Sequence, residues 1–189
     1  MLRAYFSLFF PPIFSYIMIL PSHPYCRPNR TMKLTDLCRE DRVLIPLLAQ
    51  TRDEVLSEMV QPLQRQGAIA DPEEILALLQ DRERQLTTAI GNGVAIPHTR
   101  PLEVPEPLLV IGRTARPVDF QALDGQPVRL VFLLITPKGN ISLHLKLLSR
   151  VSRLMNDEAL RRQLLEARNA AEVLAHLRAA EADYFDLTP

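Results

Sequence analysis

The stretch LLVIGRTARPVDFQALDGQPVRLVFLLIT spans residues 108–136 and holds two apolar runs on either side of a turn. LLVIGRTA (108–115) and VRLVFLLIT (128–136) are continuous runs rich in branched side chains. That is the pattern of strands buried on both faces, not of strands with one wet side. Asp124-Gly125 marks a turn just before the second run.

Helices are expected on both flanks of this pair. Upstream, VLIPLL (43–48) is a further short strand, and Thr51-Arg-Asp-Glu54 is a capping box followed by Val55, Met59 and Leu63 at helical spacing. Pro62 is expected to kink or shorten that helix, and Gly67 to end it. Asp71-Pro72-Glu-Glu74 opens a second helix with an N-cap, a proline at the first position and an acid at the third. Downstream, Leu143, Leu147, Val151 and Leu154 share one face of a helix over about 141–155. Asp157 caps another to about 167, and a last helix covers roughly 170–181. Helices, strands and helices in that order, without regular alternation, predict an α/β fold: a three-layer sandwich with a central mixed β-sheet flanked by helices.

Residues 1–31 differ in kind from the rest. They hold much of the Phe and Tyr of the chain and five prolines, but no Asp or Glu. Pro11-Pro12 splits the apolar run MLRAYFSLFFPPIFSYIMIL, which disfavours both a signal peptide and a membrane span of roughly 20 apolar residues. Globular patterning begins at Met32, so 1–31 is expected to be a non-globular leader or an over-extended start, and 32–189 the domain. Basic and acidic residues balance at 22 each, so the chain offers no polycation for nucleic acid. Cys26 and Cys38 form no disulfide framework and no CxxC or Cys/His zinc spacing. A reducing, cytoplasmic setting without membrane insertion is expected.

One segment is over-furnished for a turn: TTAIGNGVAIPHTR (87–100). Closely spaced glycines let backbone N–H groups converge on an anion. Yet GNGVAIPH (91–98) is no Walker motif, and Ile96 stands where a dinucleotide fingerprint would have its third glycine. The histidines His23, His98, His144 and His176 include no pair at i,i+4, so no metal site is expected. A nucleophilic His98 is the third reading, since neutral imidazole is available near its unperturbed pKa of about 6.5. Phosphoryl transfer to it needs neutralising partners. Thr87 and Thr88 offer hydroxyls, and Arg82 or Arg84 offers a guanidinium. From the residues alone, a structural strand and turn bearing a half-exposed histidine competes with this reading.

GNGVAIPH resembles the phosphorylation-site signature of type-2 enzyme IIA domains of the bacterial phosphoenolpyruvate-dependent phosphotransferase system, the mannitol–fructose and nitrogen-regulatory class. An Arg-Glu pair and a Thr usually precede that signature, and Arg82-Glu83 and Thr88 stand at the matching distances. PVDFQALDGQPVRLVFLLITP (117–137) resembles the paired-strand segment of the family, and HLKLLSRVSRLM (144–155) its His-Leu…Leu-Ser helix. The resemblance covers about residues 34–180. Thr99 departs from the Gly or Ala usual after the signature His, and Leu86 from a small residue.

The resemblance implies that His98 accepts a phosphoryl group from the histidine phosphocarrier protein HPr or a paralogue. His98 would then pass it to an enzyme IIB or hold it as a signal. It further implies that Arg82 and Thr88 orient and neutralise the group, with His144 as a pocket neighbour. The backbone of Gly91, Asn92 and Gly93 is expected to contact phosphate, and no cofactor is needed. The alternative is a binding regulator of a transporter, kinase or response regulator, switched by phosphorylation.

Overall fold

The computed structural model describes residues 32–99 and 102–185, so the expectations for residues 1–31 lie outside the described residues. Five strands form one mixed sheet: β1 (Val43–Leu47), β2 (Ala89–Gly91), β3 (Val94–Ala95), β4 (Leu108–Val118) and β5 (Val128–Ile135), in the order β1-β4-β5-β3-β2. β4 and β5 run antiparallel, with Leu109 opposite Leu134 and Ile111 opposite Phe132. β1 joins β4 in parallel and β3 joins β5 in parallel. Helices α1 (Arg52–Arg65) and α2 (Pro72–Gln85) precede the hairpin β2–β3. Helices α3 (Ile141–Met155), α4 (Glu158–Glu166) and α5 (Ala170–Phe185) follow β5.

The two apolar cores explain why the strand sequences do not alternate. Leu130, Phe132 and Leu134 of β5 pack with Leu147, Val151 and Leu154 of α3 on one face. Val131, Leu133 and Ile135 pack with Leu56, Met59 and Leu63 of α1 on the other. Each successive side chain enters the opposite core, as the period of two requires. Each such residue contributes roughly 1.5–3 kcal/mol by burial, so β5 must be apolar throughout. This is the expected three-layer α/β sandwich.

Local signals set most helix ends. Thr51 accepts from the Glu54 N–H while the Glu54 carboxylate accepts from the Thr51 N–H, closing the capping box. Asp71 caps α2 through the Glu74 N–H at 2.9 Å, with Pro72 at the first position. Gly67 ends α1 at φ +62°, where the Ala68 N–H donates to Leu63 O and the Gly67 N–H to Gln64 O. Pro62 does not shorten α1, which runs on to Arg65. It lies in the last turn, so it removes one hydrogen bond with little helix left to break.

Two other expectations change. β4 continues to Val118, three residues beyond the apolar run, because Val118 pairs with Val128 after a shift of register. Gly91 ends β2 and Gly93 precedes β3, and these two short strands extend the sheet from β5 in the order β5-β3-β2.

Candidate functional site

Parallel pairing of β3 with β5 places their carboxyl ends side by side, where ligand sites of such sheets form. His98 lies just beyond β3, bridged to Leu134 of β5, and the Leu134 N–H donates to Pro97 O at 2.9 Å. Beyond β5 the chain passes buried Thr136 and enters α3, which carries His144 in its first turns. Asn140 caps α3 through the Leu143 N–H at 3.0 Å. The two imidazoles thereby meet with ring centroids 5.6 Å apart and planes inclined by 57°.

The hydrogen bonds of each ring assign its chemistry. His98 Nδ1 lies 2.7 Å from Ile96 O, and a carbonyl oxygen only accepts. Nδ1 therefore carries the proton, and Nε2 carries the lone pair. Burial pushes the His98 pKa below its ordinary value, the Ile96 carbonyl partly opposes that shift, and the Arg82 charge pushes the same way as burial. A neutral ring with a free Nε2 is a nucleophile at neutral pH. His144 Nδ1 lies 2.9 Å from Thr136 Oγ1, and burial, followed by the neighbouring His98, lowers its pKa too.

A cleft of about 320 Å³ opens on His98 and is lined by Arg82, Thr87, Thr88, Leu148, Ser149 and Ser152 among others. Arg82 leaves the last turn of α2 toward this cleft, with Nη1 donating to Leu86 O at 2.7 Å. Arg84 points elsewhere and pairs with Asp81 in solvent at 3.5 Å. Of the two arginines offered by the sequence, Arg82 is the one that lines the cleft.

Two of the expected phosphate-contacting groups have hydrogen-bond partners within the protein. Thr88 lines the cleft, and its hydroxyl donates to Glu83 Oε2 at 2.5 Å. The Gly91-Asn92-Gly93 backbone is absent from the cleft lining and sits at the tip of the β2–β3 hairpin. There the Asn92 N–H donates to Asp124 Oδ2 at 2.9 Å. Gly91 (φ +90°) and Gly93 (φ +72°) fit tightly there, since a Cβ on Gly91 would lie 3.0 Å from Asp124 Oδ2.

Ser149 and Ser152 were not singled out from the sequence. A readable signal existed: Leu148 and Ser152 follow His144 at four-residue spacing, one helix face. Thr99, which departs from the family pattern, is 1% exposed and does not line the cleft. Leu86 is 61% exposed at the end of α2. Among the described residues, no group of three or more His, Cys, Asp or Glu side chains is placed to hold a metal ion. Among the same residues no helix is long and apolar enough to cross a membrane.

Residues 36–180 match the family model described as phosphoenolpyruvate-dependent sugar phosphotransferase system, EIIA 2. The PTS system fructose-specific EIIABC component of Bacillus subtilis is 36% identical over 143 residues, covering 76% of this chain and 22% of that protein. A nitrogen regulatory protein of Bradyrhizobium diazoefficiens is 34% identical over 148 residues, covering 77% of this chain and 95% of that one. Among solved structures, the nitrogen regulatory protein IIA-Ntr from Neisseria meningitidis aligns with a TM-score of 0.71 at 29% identity. That alignment covers 76% of this chain and 97% of the other.

Proposed function

The chain belongs to the EIIA 2 family of the phosphoenolpyruvate-dependent sugar phosphotransferase system, and from that membership we propose that it carries a phosphoryl group on His98. The donor is HPr or a paralogue, and the group passes to an enzyme IIB or is held as a regulatory signal. The observation that carries the site assignment is the 2.7 Å contact between His98 Nδ1 and Ile96 O. It fixes the Nδ1–H tautomer and turns Nε2 into the attacking atom.

In the transfer step the Nε2 lone pair attacks phosphorus as the bond from phosphorus to the donor nitrogen breaks. The bonding pair returns to the donor ring, and the phosphoryl charge spreads over its three equatorial oxygens. Arg82, with its remaining N–H donors, and the hydroxyls of Ser149 and Ser152 neutralise that charge in the cleft. His144 borders the acceptor ring and shields it from water. Thr88 supports the wall of the cleft rather than the phosphate. Nδ1–H remains bonded to Ile96 O throughout, so the ring need not move on loading. The domain unit is residues 32–189, and the working compartment is the cytoplasm.

A regulatory role has its own support. A relative 34% identical to this chain over 148 residues is called a nitrogen regulatory protein. The site chemistry is the same in both roles, because charge at His98 alters a docking face as well as carrying the group. The test is reconstitution from phosphoenolpyruvate through enzyme I and HPr, comparing wild type with His98→Ala. The wild type forms an acid-labile, alkali-stable phosphoprotein and the variant forms none. Label retained by the variant would overturn the assignment.

A further inference from the structure

We propose that Glu83 is a positioning residue for His98, acting through a continuous line of hydrogen bonds that runs from the last turn of α2 to the imidazole. The proposal rests on the reading of His98 as the phosphoryl acceptor. Glu83 is 2% exposed, and a buried carboxylate is costly unless donors fill it. Thr88 supplies both: its N–H reaches Oε1 at 3.0 Å and its hydroxyl reaches Oε2 at 2.5 Å. Bonds to an ionised acceptor are roughly twice as strong as neutral ones. Thr88 cannot turn away without stranding the charge.

Thr88 passes the constraint on. Its carbonyl accepts the Ile96 N–H at 3.0 Å, and the Ile96 carbonyl accepts the His98 Nδ1–H at 2.7 Å. On the opposite side the Leu134 N–H holds Pro97 O at 2.9 Å. The loop between β3 and His98 is thus gripped from β5 on one side and from Glu83 on the other. Releasing Glu83 leaves the Ile96 carbonyl free to drift, and the His98 ring loses the partner that selects its tautomer. The two adjacent residues divide the work: Arg82 lines the cleft and Glu83 turns inward to hold the loop.

The test uses the full chain, labelled with 15N, as wild type, Glu83→Gln, Thr88→Val and the double variant. Long-range 1H–15N correlations read the His98 tautomer, and phosphotransfer from phosphorylated HPr gives the limiting rate and the KM for HPr. The expected result is folded single variants in which His98 samples both tautomers. The limiting rate falls roughly 10- to 100-fold, the scale of a small misplacement of a reacting group, while KM stays within about twofold. The double variant is no slower than the slower single, because both cut one line. A wild-type tautomer and rate in the folded variants overturns the proposal, as do fully additive losses. If Glu83→Gln does not fold, Thr88→Val decides, since it keeps the Thr88 N–H to Glu83. Unfolding of both also overturns it, by assigning the pair to stability alone. The tautomer is read without any phosphorylation, so failure of the acceptor assignment and failure of this line are distinguishable.

Discussion

His98 and His144 face each other with ring centroids 5.6 Å apart, although they reach the site from different elements. His98 hangs from the end of β3 and His144 from the start of α3. Each ring has one nitrogen committed to the protein, to Ile96 O and to Thr136 Oγ1. The expected consequence is a division of labour. His144→Gln should still be phosphorylated, but with a limiting rate lower by up to roughly 100-fold, the scale of a small misplacement of the reacting ring once its neighbour is lost. Single-turnover labelling checks this, and an unchanged rate removes His144 from the reaction.

Acid should affect stability and activity differently. Both histidines have pKa values held below their ordinary 6.5, chiefly by burial. Below pH 6.5 the unfolded chain therefore binds more protons than the native one, and stability rises with pH in that window. The contribution is fully present above pH 6.5 and is lost as pH falls toward the native values. Urea midpoints should drop between pH 7 and pH 5.5, and less so in a His98→Asn, His144→Gln double variant. Phosphotransfer should persist past pH 6.5 on the way down, because Nε2 stays unprotonated in the native state.

Arg82 and Arg84 offer a paired control. Arg82→Ala should slow phosphotransfer by roughly 100-fold, while Arg84→Ala, whose side chain pairs with Asp81 in solvent, leaves it unchanged. The cost of Arg82→Ala to stability is about 1 kcal/mol, one hydrogen bond to Leu86 O. Stopped-flow transfer and thermal melts read the two effects separately. Equal rates for the two variants would remove Arg82 from the cleft chemistry.

Gly112 tests the packing of the sheet on α1. A Cβ there would lie 2.4 Å from Leu47 Cδ1 and 3.5 Å from Met59 Cε. Gly112→Ala should therefore cost ~1–3 kcal/mol by overpacking, read as a lower urea midpoint with unchanged phosphorylation of the folded fraction.

Much of this fold was legible because its strands are buried on both faces. VRLVFLLIT announces itself as β5 by composition, since every residue from Leu130 to Ile135 enters one core or the other. Capped helix starts at Thr51, Asp71, Asn140 and Asp157 depend on neighbours three residues away or fewer. The site was legible only where its signals were local or matched a known pattern. The contact of the Gly91–Gly93 turn with Asp124 was not legible, because Asp124 is 32 residues from Asn92. No periodicity shows such a contact. The contact from Thr88 to Glu83 was not legible, because a hydroxyl is equally suited to a phosphate or to a carboxylate. The choice between them depends on how α2 ends. Leu86 ends α2 in an extended conformation, which lets the chain bring Thr88 back to Glu83.

The central claim is that His98 takes the phosphoryl group on Nε2 while Nδ1–H stays on Ile96 O. Long-range 1H–15N correlation of the ring, recorded on the 15N-labelled chain before and after loading from phosphorylated HPr, tests it most directly. The account predicts an Nδ1–H tautomer before loading and a phosphorus-coupled Nε2 afterwards, on His98 alone. Phosphorus coupled to Nδ1, or to another histidine, would contradict it.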